Sequence, residues 1–161
     1  MSKVKKILLG IGYWFVQLTW GSLMTVIGLF ASLIAIVFLK GKVHKNGLSF
    51  IVEVGGNWGG VNFGAISLCG GYTTTCIDLD WFEHTRRHEF GHSLQNIIFG
   101  PLHPFIVAIP SAIRYQIFNY NYSHNKPNPS YDAVWFEHTA STWGHRAVNK
   151  IEGTTVEYVE E

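Results

Sequence analysis

The pentapeptide His88-Glu89-Phe90-Gly91-His92 sets two imidazoles four residues apart with a carboxylate next to the first. On an α-helix, side chains at i and i+4 share a face one turn apart, so both histidines can reach a single metal ion. Glu89 lies about 100° around the helix from His88. From there its carboxylate stands beside the ion without ligating it and can take a proton from metal-bound water. H-E-x-x-H on a helix is the arrangement for zinc-dependent peptide hydrolysis, in which the ion acidifies the water and polarises the scissile carbonyl while the carboxylate carries the proton to the leaving amine. The competing reading is an exposed polar helix face without metal.

That chemistry requires a helix under the motif. From Asp80 to Phe99 there is no proline, and Phe90, Leu94, Ile97 and Ile98 recur at helical spacing. At about 100° per residue they fall roughly opposite His84, His88, His92 and Gln95, leaving one face to pack and one to hold a metal. Asp78 or Asp80 is the expected N-cap, and Gly100-Pro101 the expected stop.

A zinc site needs a third protein ligand, and Glu137 is the best candidate. It lies in a second expected helix, Tyr131 to Gly144, after the breaker-rich stretch Asn125-Lys126-Pro127-Asn128-Pro129-Ser130. Glu137, Ala140, Ser141 and Gly144 share a face there, and their small side chains would let this helix approach the metal helix closely. His138, His84 and Asp132 are rival ligands. Trp-Phe-Glu-His-Thr occurs twice, at residues 81 to 85 and 135 to 139. The flanks of the two copies do not match, so no internal repeat is inferred, but Glu83 stays open as a ligand on motif grounds.

The H-E-x-G-H helix followed by Glu137-x-x-Ala140 resembles the zincin metallopeptidases, specifically the gluzincin arrangement of two histidines and a downstream glutamate on zinc. The strings His88 to Asn96, Gly100-Pro101-Leu102 and Ile109-Pro110-Ser111-Ala112-Ile113 are also similar to those of small bacterial membrane proteins with the same core. The resemblance spans roughly residues 47 to 148 and implies zinc as cofactor, with His88, His92 and Glu137 as ligands and Glu89 as base. Gluzincins usually carry Asp four residues after the ligand glutamate. Ser141 stands there in this chain, which leaves open what supports the ligand histidines.

Upstream, Leu48 to Val54 alternates with Leu48, Phe50, Val52 and Val54 on one face, and Val61 to Leu68 reads as a second strand. Gly55-Gly56-Asn57-Trp58-Gly59-Gly60 is expected to join them as a hairpin or loop. In zincins a small sheet precedes the metal helix, and its edge strand pairs with extended peptide; main-chain pairing of that kind holds substrate without reading its side chains. Tyr115, Tyr120, Tyr122, Tyr131, His138 and His145 are candidates to stabilise an oxyanion.

Membrane attachment is the second inference. Ile7 to Leu39 is 33 residues without a charge, bounded by Lys3, Lys5 and Lys6 on one side and Lys40, Lys42 and Lys45 on the other. About 20 apolar residues cross a bilayer core, so the run suits one tilted, uncleaved helix with an interfacial extension, Gly21 to Leu39 crossing the core. The lysine flanks are balanced and give no orientation. A second apolar tract, Ile97 to Ile117, is interrupted by Pro101, Pro104 and Pro110, so it reads either as a membrane-skimming or re-entrant segment or as core. Cys69 and Cys76 suit a disulfide or two free thiols equally, and their spacing matches no common zinc site.

Hydrophobic residues make up 47% and charged residues 14%, which fits a membrane-associated domain, and a net charge of +1 offers no footprint for nucleic acid. The expected organisation is α+β: a membrane anchor over residues 1–45, a minimal zincin-like domain over 46–150 with a small sheet, the H-E-x-x-H helix and a second ligand helix, and an acidic tail over 151–161. The expected function is a membrane-anchored zinc metallopeptidase acting on peptides or membrane proteins. The alternative is a non-catalytic binding module with a structural or vestigial zinc site.

Overall fold

The computed structural model describes residues 2–56, 58–70 and 79–156. The uncharged N-terminal run forms two helices, α1 (Lys3–Thr19) and α2 (Ser22–Leu39), instead of one. The break has a local cause. Gln17 and Thr25 are polar residues buried on either side of Gly21, joined by a hydrogen bond of 3.2 Å. Such groups must find partners inside the fold: Gln17 finds them on the helix that carries Ser93 and Asn96, and Thr25 accepts from the Ala65 backbone, so the chain turns a corner there.

α2 is inverted relative to a helix of a water-soluble core. Thr25, Gly28, Ser32 and Ala35 form its buried stripe, while Phe30, Leu33, Val37 and Phe38 are 58–75% exposed. It is long and apolar enough to cross a membrane, and small inward residues permit close packing on its neighbours.

Four strands follow: β1 (Lys42–Asn46), β2 (Ser49–Glu53), β3 (Gly60–Phe63) and β4 (Ile66–Cys69), in the order β1-β2-β4-β3. β1 pairs antiparallel with β2, β2 parallel with β4, and β4 antiparallel with β3. The stretch expected as one strand, Val61 to Leu68, is therefore a hairpin, turned at Gly64 with φ +67°. The glycine-rich segment after β2 is a crossover to the far edge, since β2 lies beside β4. Alternation also fails in β2: Phe50 is 42% exposed, while Ile51 and Val52, which point to opposite faces, are both buried. A central strand covered on both faces loses the alternation of a half-exposed one. Val52 joins Tyr13, Ala35, Ile66, Phe90 and Val148 in the main core, and Ile51 packs with Cys69 and Phe82.

α3 (Leu79–Phe99) carries the H-E-x-x-H motif and ends before Gly100 as expected, at φ +51°. Asp80 lies within the helix rather than capping it; Asp78 falls outside the described residues, as do Asn57, Cys76, Glu157, Glu160 and Glu161. Of the expected packing face, Phe90 is fully buried but Ile98 is 53% exposed. The prolines break the following tract: a 3₁₀ turn (Gly100–Leu102) and a π-helical turn (Pro104–Ala108) lead into α4 (Ile109–Ser123), and the chain bends by 120° between α3 and α4. Counted with that bent pair, the described residues hold up to two candidate spans. No side chain of α4 itself is buried, whereas His103 and Val107 just before it are, so the tract is part interior and part surface. A 3₁₀ turn (Tyr131–Ala133) precedes α5 (Trp135–Val148), shorter at its start than expected.

α3 and α5 meet without side chains at their crossing. A Cβ on Gly91 would overlap the Ala140 carbonyl, and one on Gly144 would overlap the Arg87 carbonyl. The face foreseen from Ala140, Ser141 and Gly144 is buried throughout, and its small residues allow that approach.

Candidate metal centre

Three side chains from α3 and α5 converge. His88 Nε2 lies 3.0 Å from His92 Nε2, and Glu137 Oε2 lies 3.1 Å from the first and 3.2 Å from the second. The edges of a tetrahedral shell with bonds of 2.0–2.1 Å measure about 3.3–3.4 Å, so these atoms sit close to three corners of such a shell. All three residues are buried and can hold a metal ion.

The outer nitrogens explain the orientation. His88 Nδ1 lies 2.8 Å from Ser141 Oγ, which donates onward to Asp132 Oδ1 at 3.2 Å. His92 Nδ1 lies 2.7 Å from Gln95 Oε1, and the Gln95 amide donates to the Phe136 carbonyl and Thr139 Oγ1, both at 2.7 Å. A Gln95 carbonyl can only accept, so His92 carries its proton on Nδ1; Ser141, donating to Asp132, likewise accepts from His88. Both Nε2 atoms then present lone pairs toward a carboxylate oxygen. Three facing lone-pair atoms at this spacing repel unless a cation lies among them, which is the fit a metal ion meets.

Ser141 is too short to be a carboxylate, but it relays His88 to Asp132 from the preceding turn. Asp132 backs His88 through Ser141 and stands outside the trio. Glu83 is occupied elsewhere, in ion pairs with Arg86 at 2.7 Å and Arg87 at 3.2 Å. His84 stacks toward His145 with ring centroids 5.2 Å apart and stands outside the trio, as does His138.

Glu137 lies in the first turn of α5, where the helix dipole favours an anion. Burial would raise its pKa, but with no metal between them the imidazoles of His88 and His92, when protonated, outweigh that and hold the carboxyl well below its usual range. Glu89 is shifted the other way. Burial raises its pKa, the nearby His92 and His88 offset part of this, and Glu137 adds to it. A carboxylate so displaced is a stronger base than one in water.

Glu89 Oε2 is buried without a partner. It faces a cleft with two lobes, of about 240 Å³ and 310 Å³, that share Trp58, Gly60, His88, Glu89, Tyr115 and Tyr131. One lobe is aliphatic, with Val61, Val107 and Ala112; the other is aromatic, with Trp81 and Phe118. β3 is the edge strand beside Glu89, and Gly60 is required there because a Cβ would overlap that carboxylate.

Two other groups line the cleft beside the trio. Tyr131 donates to Glu137 Oε1 at 3.3 Å. His103, 1% exposed and lining the aliphatic lobe, has both ring nitrogens unpartnered, and burial lowers its pKa to about 4. Of the expected oxyanion candidates, Tyr115 and Tyr131 line the cleft, whereas Tyr120, Tyr122, His138 and His145 do not. His103 was not foreseen in the site, since it lies among prolines in an apolar tract; a lone histidine in such a tract was the available clue. Gln95 could have been linked to His92 from its i+3 spacing on the polar face. Cys69 is a buried free thiol whose pKa burial pushes up to about 12, and it is not part of the trio.

No family model, curated protein or solved structure matches this chain; what marks the site is its own geometry, a buried His-His-Glu trio that can hold a metal ion beside a carboxylate with one unpartnered oxygen, lining a cleft.

Proposed function

We propose that this protein is a membrane-anchored zinc metallopeptidase of zincin type, with His88, His92 and Glu137 as zinc ligands and Glu89 as general base. The observation that carries the reading is the unpartnered Glu89 oxygen beside the His-His-Glu trio, facing a cleft large enough for peptide. Two histidines and a carboxylate that leave one face open to a cleft are the donor set of a catalytic zinc rather than a closed structural one. Zinc bound there supplies Lewis acidity toward a carbonyl and lowers the pKa of water.

The rest is done by the chain. The edge of β3, which among the described strands pairs only with β4, offers main-chain groups to an extended peptide and lays it across Glu89. Glu89 takes a proton from water in the cleft and delivers it to the leaving amine, a transfer its raised pKa suits. The neutral His103 can donate to oxygen in the cleft, and Tyr131 can do so by releasing Glu137 Oε1. The aliphatic and aromatic lobes receive apolar side chains on either side of the scissile bond. α2 holds the domain at a membrane, which favours peptides or membrane proteins as substrates.

Glu89→Gln separates catalysis from binding. The purified variant is expected to retain about one zinc per chain while peptide hydrolysis falls by about 10²–10⁴-fold. Equal hydrolysis by variant and wild type would refute the mechanism.

A further inference from the structure

Helix α4 has two faces with different company. Val107 just before it, then Ser111, Tyr115 and Phe118, turn toward the cleft. On another side, Phe105, Ile109, Ile113 and Ile117 recur every four residues and are 68%, 50%, 55% and 49% exposed. Single exposed apolar residues are ordinary on protein surfaces, but a continuous stripe marks an interaction site.

The stripe is also free of charge. Between Glu89 and Lys126 the only residue among Asp, Glu, Lys and Arg is Arg114, and its guanidinium turns aside to the carbonyls of Pro129 at 3.0 Å and Ser130 at 2.6 Å. The apolar surface continues toward α2. Gly100, in the turn before the bend, abuts the Trp20 ring at the α1–α2 corner, and Ile98 and Leu102 on either side of it are more than half exposed. α2 then presents its own outward apolar face over 18 residues, about 27 Å of helix.

We propose that the outward face of α4 lies in the same lipid bilayer as α2, making this helix at once a wall of the cleft and a second membrane contact. A bilayer is the occupant that covers both faces, since α2 matches the thickness of a hydrocarbon core and the α4 stripe joins it through Trp20 and Leu102. The contact rests on the reading of α2 as an anchor and is independent of peptidase activity. Joined to that activity, it places the cleft mouth at the membrane and narrows the substrate class to peptide segments held at or in the lipid surface.

The test uses the full chain in phosphatidylcholine and phosphatidylglycerol vesicles. Nitroxide labels are attached singly through Ile109→Cys, Ile113→Cys and Ile117→Cys, with Phe30→Cys in α2 and Lys150→Cys as references, all on a Cys69→Ala, Cys76→Ala background. Oxygen collisions are expected to exceed those of a water-soluble nickel complex at the α4 positions, as at Phe30→Cys, and to fall below them at Lys150→Cys. Nickel dominance at α4 with oxygen dominance at Phe30→Cys overturns the α4 contact alone. Nickel dominance at both overturns the anchor as well. Low collision with both reagents at α4, with or without dipolar broadening between labels, means that protein covers the stripe, and this too overturns the proposal. Photoreactive phospholipid on the unsubstituted protein reads the same question without mutation: adducts in 105–117 as well as 22–39 are expected, and adducts confined to 22–39 refute it.

Discussion

The same five residues, Trp-Phe-Glu-His-Thr, stand on α3 at 81 to 85 and open α5 at 135 to 139, and the two copies end in different chemistry. In the first, Arg86 and Arg87 follow at i+3 and i+4 from Glu83, the spacing at which helix neighbours meet, and both pair with it. In the second, those positions are Ala140 and Ser141. No Lys or Arg stands at those positions to pair with Glu137, and the small residues let α3 approach until His88 and His92 come within 3.1–3.2 Å of it. Local sequence identity therefore did not assign the role. The side chains one turn further on did, by deciding whether the glutamate was satisfied locally or left for another helix.

Exchanging the two copies' fates gives the largest expected effect. Glu137→Ala should abolish metal binding, from about one zinc per chain to near none by elemental analysis, whereas Glu83→Ala should leave the stoichiometry unchanged. Metal loss in both variants would mean that Glu83 contributes to the site.

The next effect tests the approach of the helices. Gly144→Ala puts a methyl group against the Arg87 carbonyl, and overpacking of that kind costs about 1–3 kcal/mol. Thermal or denaturant unfolding of the metal-free protein should show it. Wild-type stability in that variant would contradict the contact between α3 and α5.

A smaller loss is expected where Ser141 stands in for a carboxylate. Ser141→Ala should weaken zinc affinity by about 10–100-fold in competition with a chelator, as loss of outer support to a ligand histidine does. Asp132→Ala should act in the same direction, and adding Ser141→Asp to it should recover affinity by contacting His88 directly. Failure of that rescue, with the fold intact, would argue against the relay.

The smallest effect belongs to the first copy. Glu83→Gln removes the charge facing Arg86 and Arg87, yet Arg86 keeps Glu152 at 2.9 Å, and Arg87 keeps Asn149 at 2.7 Å and Thr154 at 3.2 Å. A partly exposed pair with such reserves contributes about 1 kcal/mol or less to stability, diminishing as salt is added. A larger loss would show that Glu83 is the main partner of the buried Arg87.

Much of the site was legible because its residues obey helical spacing. His88, Glu89 and His92 lie within one turn and a half, and the small residues beside Glu137 announced a close helix contact, so periodicity alone brought each half of the trio onto a face. Charge content marked Leu39 as the end of the apolar run, and the prolines marked the break after α3. These are properties of chain segments taken one at a time.

What required tertiary structure was every choice between partners. Gln17 and Thr25 are two polar residues in an apolar run, and their distant partners explain why that run turns: Gln17 donates to the Ser93 carbonyl of α3 at 2.9 Å and accepts from Asn96 at 2.6 Å, and Thr25 accepts from Ala65 N at 3.3 Å. The strand order placed β3 rather than β2 beside Glu89, a pairing set by long-range hydrogen bonds that alternation does not encode. Glu137 rather than Glu83 meets the two histidines, and Ser141 with Asp132 backs His88, because two helices crossed on glycine. The sequence by itself determined which atoms were available for chemistry; the packing of α3 on α5 decided which of them meet, since that depends on distances between residues about 50 positions apart in the chain, which no local pattern contains.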